Sequence, residues 1–76
     1  MNIEKKVLNV FEKVFNINNP SVLLEKKDVE SWDSIGHLQL VLTIEEEFNV
    51  KFRTAEIEEI ADVKKCIDLI SKQLEK

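Results

Sequence analysis

Apolar residues recur at helical spacing from the start of the chain, at Ile3, Val7, Leu8, Phe11, Val14 and Phe15, with Glu4, Lys5, Lys6, Glu12 and Lys13 elsewhere on the wheel. This pattern predicts an amphipathic helix over roughly residues 2 to 15, with one face turned inward. Asn16, Asn18, Asn19 and Pro20 end it, because proline has no N–H to donate and biases the residue before it away from helical backbone. From Asn16 to Trp32 no period is sustained, although Val22, Leu23, Leu24 and Val29 are expected to cover the open side of a helix bundle. Long connections of this kind are uncommon in small domains and are often functional.

A second helical period fills "DSIGHLQLVLTIEEEF". It is expected to start at Asp33 or Ser34, with the Asp33 carboxylate as N-cap, and to run to about Phe48. Leu38, Val41, Leu42, Glu45 and Phe48 fall on neighbouring rows beside Leu40 and Ile44. The apolar band is therefore wider than a core face, and part of it is expected to stay exposed. "NVKF" is expected to be a connector that packs Val50 and Phe52 inward, since a lone strand would leave its ladder unpaired. Thr54 is expected to cap a short third helix, "AEIEEI", and Asp62 a fourth, along which Val63, Cys66, Ile67, Ile70 and Leu74 keep helical spacing. The expected fold is all-α: a four-helix bundle with a long first loop and a short third helix, spanning residues 1–76 as a single domain.

Composition narrows the function. With 76 residues, one Gly and 43% hydrophobic content, the chain suits one thin-cored domain, because a chain this short buries only about 60% of its extended surface. A deep catalytic pocket fits poorly, and an enzyme is not expected. The 15 acidic residues outnumber 11 basic ones for a formal charge of −4, and the lysines are scattered among glutamates. Nucleic acid is thus a poor partner, and proteins with basic docking patches are better ones. Cys66 stands alone, so neither an internal disulfide nor a multi-cysteine zinc site is available, which points to the cytosol. The opening "MNIEKKVLNV" is charged and no apolar run exceeds that of Leu40–Leu42, so neither a signal peptide nor a membrane span is expected.

The stretch "WDSIGHLQLVLTIEEEF", followed at matching distance by "ADVKKCIDLI", resembles acyl carrier proteins and the closely related peptidyl carrier domains. The resemblance covers nearly the whole chain, and the Asp-Ser pair at the start of the second helix is its specific part. In that family the serine at this position is esterified to 4′-phosphopantetheine, taken from coenzyme A by a separate phosphopantetheinyl transferase. Ser34 is the matching residue and Asp33 the flanking one. A helix N-terminus suits a phosphodiester, but by only about 0.3–1 kcal/mol at an exposed end, so it permits the modification rather than driving it. The resemblance implies carriage rather than catalysis: acyl or aminoacyl groups ride as thioesters on the arm's thiol, and Cys66 is not that thiol. It also implies a monomer whose partners are the transferase, an acyl- or aminoacyl-loading ligase and downstream acyl-transferring enzymes.

Each of these residues also has a plainer role. Ser34 suits a helix start, and Asp33 suits an ordinary cap, which is compatible with both readings. Trp32 is expected to pack the long loop onto the bundle, with a partner contact as the alternative. Ile35, Leu38 and Leu42 are either docking residues or core, and docking is favoured for Leu42. Glu45, Glu46 and Glu47 fan out by about 100° per residue and cannot converge on a metal. Together with Glu56, Glu58 and Glu59 they form either an acidic rim for basic partners or a solubilising surface.

His37 lies three residues after Ser34, and with Asp33 the three carry the letters of a nucleophilic triad. Crowding on one helical turn leaves no place for the aspartate behind the histidine or for an oxyanion hole, so His37 is expected to be a surface residue beside the prosthetic arm. Compared with housekeeping fatty-acid carriers, the chain has Gly36 and Gln39 in place of acidic residues, and it has Trp32 before the Asp-Ser pair. This resembles the carriers of specialised pathways. The competing reading is an unmodified helical interaction module that uses the same exposed helix face.

Overall fold

The computed structural model describes residues 2–75, so Met1 and Lys76, the ends of the expected domain, lie outside the described residues. Asn2 opens the first helix by accepting the N–H of Lys5 on its side chain, and α1 runs Ile3–Phe15. Asn16 closes it in left-handed backbone at φ 53°, a conformation that asparagine tolerates better than most residues. The long connection follows, with a single 3₁₀ turn at Lys26–Asp28. α2 spans Ser34–Phe48 and ends in a left-handed Asn49 at φ 55°. α3 is the short helix Thr54–Glu59, and α4 covers Val63–Leu74. The four expected helices are all present.

α1 packs against both α2 and α4. Val7, Val10, Phe11, Leu40, Val41, Ile44, Ile60, Val63, Cys66 and Ile70 form the fully enclosed part of the core. Val50 and Phe52 turn inward as expected and are buried. Lys6 lies over the Phe48 ring, closing the far end of the α1–α2 seam with a partly exposed cation–π contact.

The connection is not without structure of its own. Lys26 N–H donates to the Ala61 carbonyl at 2.9 Å, and Val63 N–H donates to the Leu24 carbonyl at 3.0 Å, around an isolated bridge between Glu25 and Asp62. The loop is thereby laced to the junction of α3 and α4, so its backbone groups find partners without a sheet. Val29 is buried, and Val22 and Leu24 pack partly against the core, but Leu23 is 67% exposed and covers nothing. The Ser21 hydroxyl accepts the Leu23 N–H and its carbonyl accepts the Leu24 N–H, which turns Leu23 outward. One further expectation needs correction. Thr54 is the first residue of α3 rather than its cap, since the N-cap is Arg53, whose N–H donates to Glu56 Oε1 at 2.8 Å. Leu74 lies on α4 as its spacing predicts, and as the last residue of that helix it is 39% exposed.

The loop reaches α2 through one tight approach. A Cβ added to Gly36 would lie 2.2 Å from the Ser31 carbonyl oxygen and 3.1 Å from Phe15 Cε1, so the loop backbone rests where any side chain would stand. Helix propensity alone favours alanine over glycine by about 1 kcal/mol. Gly36→Ala is nonetheless expected to lower stability by about 1–3 kcal/mol, because the loop backbone must move to admit the methyl group. Urea unfolding of the two proteins reads the sign, and a stabilised variant would mean that the loop gives way freely.

Candidate functional site

The site grows from the cap of α2. Asp33 has extended backbone, and its Oδ1 accepts the Gly36 N–H at 2.8 Å, while its carbonyl accepts the His37 N–H at 2.7 Å. The cap thus belongs to Asp33, and Ser34 is the first helical residue. Ser34 is exposed, and none of the side-chain hydrogen bonds among the described residues engages its hydroxyl. Asp33 satisfies the third N–H of the helix, which leaves the N–H groups of Ser34 and Ile35 at the open, partly positive end. The arrangement offers an accessible hydroxyl beside backbone donors suited to an anion.

Behind the serine lies an aromatic cluster. Trp32 is only 3% exposed and rests edge-on to Phe11 at 5.2 Å between ring centres and stacked on Phe15 at 5.4 Å. It packs the loop onto α1, as expected. His37 departs from expectation: it is half-buried, stacks on Trp32 at 6.2 Å, and has both ring nitrogens engaged. Trp32 Nε1–H donates to His37 Nδ1 at 2.8 Å, which makes Nε2 the protonated nitrogen that donates to the Ile57 carbonyl at 2.8 Å. Neither nitrogen serves Ser34, so no triad forms. A buried indole N–H in want of an acceptor was the available sequence signal, because Trp32 and His37 lie one helical turn and a loop bend apart.

The exposed apolar residues line up. Ile35 is 73% exposed, and Leu38 and Leu42 are each 56% exposed. Their i, i+3, i+7 spacing puts them on one stripe of α2 that continues to the exposed Glu46. Of the other acidic candidates, Glu45 is half-buried and its Oε2 accepts the Phe52 N–H at 2.8 Å, bracing the connector. Glu56 is half-buried and occupied by the Arg53 N–H. Glu47 and Glu58 face solvent, and Glu59 pairs loosely with Lys65 at 3.9 Å. Among the described residues no three His, Cys, Asp or Glu side chains come together in a way that would hold a metal, and no helix is long and apolar enough to cross a membrane.

Three comparisons bear on this arrangement. No family model matches the chain. It is 31% identical over 77 residues to the acyl carrier protein of Buchnera aphidicola subsp. Schizaphis graminum, covering 99% of this chain and 98% of that one. It is 30% identical over 70 residues to the acyl carrier protein of Cyanidium caldarium, covering 90% and 81% of the two chains. The crystal structure of the acyl carrier protein from Thermotoga maritima matches it with a TM-score of 0.78 at 26% identity, over 96% of this chain and 92% of that one.

The chain's own thiol is walled off from this surface. Cys66 is fully buried on α4, and burial, with the Asp62 carboxylate second, pushes its pKa from 9.0 up to about 12. The folded state therefore holds the thiol neutral, whereas the unfolded chain ionises it from 9.0 upward. The resulting stabilisation is full below pH 9.0 and is lost as pH rises from there toward about 12, at up to about 1.4 kcal/mol per pH unit. Cys66→Ala lacks this component. Unfolding free energies measured at several pH values on either side of 9.0 are expected to fall more steeply for the native chain than for the variant. Equal slopes would mean that solvent reaches the sulfur.

Proposed function

The chain belongs to the acyl carrier protein family, and from that premise we propose that Ser34 carries 4′-phosphopantetheine in ester linkage through its hydroxyl. Chains of this family are carriers rather than enzymes. The observation that supports the assignment most is the position of Ser34: it is exposed, its hydroxyl is not consumed by capping, and it follows the Asp33 cap directly. The N–H groups of Ser34 and Ile35 suit the phosphate oxygens of such an arm, and Asp33 keeps the third N–H occupied so that the turn holds its shape. When attached, the arm supplies a terminal thiol on which an acyl or aminoacyl group is held as a thioester.

The rest of the chain provides an address. Ile35, Leu38 and Leu42 offer an apolar docking stripe, with Glu46 at its end and the partly engaged Glu45 and Glu56 beside it. The partners are a phosphopantetheinyl transferase, an acyl- or aminoacyl-loading ligase and enzymes that take the cargo onward. Weak docking suffices, because the tether keeps the cargo at high local concentration near whichever enzyme is engaged. The ligase, not the carrier, selects the cargo.

We assign the partners to a specialised pathway rather than to housekeeping fatty-acid synthesis. Of the three departures from the housekeeping pattern, Trp32 and Gly36 have packing reasons, and Gln39 is the one that faces solvent. The neutral start of α2 at Gln39, next to the apolar stripe, supports this reading. Residues 1–76 then act as one monomeric carrier domain in the cytoplasm, where a reduced lone cysteine is at home.

Intact mass after incubation with coenzyme A, magnesium and a broad-specificity phosphopantetheinyl transferase tests the assignment. One added phosphopantetheinyl group is expected on the native chain and none on Ser34→Ala. Because Asp33 carries the cap, Ser34→Ala is expected to keep stability within about 0.5 kcal/mol, so its inertness cannot come from unfolding. An unmodified native chain, with its fold intact and several transferases tried, would leave the interaction-module reading in its place.

A further inference from the structure

We propose that His37 is a positioning residue that pins α3 to the serine-bearing turn, so that partner enzymes meet α2 and α3 as one rigid face. α3 is the element with the least hold of its own. It has six residues and none is fully buried; Ile57, half-buried, is its inward apolar side chain. Its cap is local, between Arg53 and Glu56, and its pairing with α4 is the exposed Lys65–Glu59 contact at 3.9 Å. Among the described residues, the one side-chain hydrogen bond that reaches α3 from another helix is His37 Nε2–H to the Ile57 carbonyl. That carbonyl also accepts the Ile60 N–H at 3.3 Å, so the bond from His37 uses its second lone pair at the point where α3 ends.

The imidazole suits this task because its other nitrogen is already fixed. Trp32 Nε1–H on Nδ1 sets the tautomer, and the stacked indole, interplanar angle 18°, sets the ring plane. Trp32 is itself seated on Phe11 and Phe15 of α1. A continuous line of contact thus runs from α1 through Trp32 and His37 to α3, passing one helical turn after Ser34. Ile35 and Leu38 flank His37 on the solvent side, and Glu56 precedes Ile57. Loss of the imidazole would free α3 to move relative to the stripe that docks. The docking half of this inference rests on the carrier reading, whereas the pinning half does not.

Two readouts on the full chain test it. In His37→Ala, amide hydrogen exchange across residues 54–60 is expected to quicken roughly tenfold, with α1 and α4 amides moving much less, since a lost tertiary hydrogen bond opens the local unit it held. In the transferase assay the KM for the carrier is expected to rise several-fold while kcat stays unchanged. His37→Gln keeps an acceptor and a donor on one planar group and is expected to restore both readouts in large part. If His37→Ala does not fold, His37→Phe keeps a planar ring beside Trp32 while removing both hydrogen bonds, and is expected to give the same pattern. A uniform rise in exchange across all helices, or a glutamine variant no better than alanine, would overturn the pinning. Selective release of α3 with an unchanged KM would overturn the docking role. If the native chain is never modified, the carrier reading and the docking role fail together, and the exchange result still decides whether His37 pins α3.

Discussion

Burial of Trp32 is the contact on which the rest of the structure depends. Its ring is held by Phe11 and Phe15, so the last residues of the long connection must pass over α1. That path brings the Ser31 carbonyl down on Gly36, where only a glycine leaves room, and sets the turn at which α2 begins. A buried indole also requires an acceptor for its N–H, and His37 supplies one. Serine exposure, the helix start and the α3 contact are thus three consequences of a single aromatic seat. This accounts for a tryptophan inside a segment without periodicity: its energy comes from tertiary packing, which no local pattern displays.

The helices were legible because their signals are local. Apolar spacing marked α1, α2 and α4, Asp33 and Asp62 marked two starts, and the asparagines marked the first end. The Asp-Ser pair and the exposed stripe of α2 were legible for the same reason. The reach of His37 was not, because its partner is a backbone carbonyl twenty positions further on, and backbone acceptors leave no mark in a sequence. Leu23 was misplaced because hydrophobicity alone does not reveal a serine-centred turn that rotates one residue outward. Gly36 was understood only as a neutral residue on a helix face. Its real constraint is a carbonyl from the preceding loop, visible once the chain is folded.

The acidic residues divide in a way that their clustering conceals. Glu45 and Glu56 each accept a backbone N–H, and both are half-buried by the segments they brace. Glu45 holds the connector against the end of α2, and Glu56 holds the start of α3. Glu46, Glu47 and Glu58 face water, where they contribute to the net charge of −4 and to any field felt by an approaching basic surface. A substitution at Glu45 or Glu56 therefore changes both the fold and the field. A substitution at Glu46 changes the field alone, which makes it the cleaner probe of electrostatic docking.

The division between Asp33 and Ser34 carries the chemistry of the site. Had the serine occupied the cap, its hydroxyl oxygen would be the acceptor for the third N–H of the helix, and any group attached there would compete with the helix start. With the aspartate one residue earlier, its carboxylate performs that task, and an acidic side chain suits a helix N-terminus. The serine is left exposed in the first turn, and none of the side-chain hydrogen bonds among the described residues engages its hydroxyl. A residue that is fixed in position but has no structural duty for its side chain can be modified without disturbing the fold. In the carrier reading proposed above, that separation of scaffold from attachment point would let a domain this small hold its structure while its cargo changed.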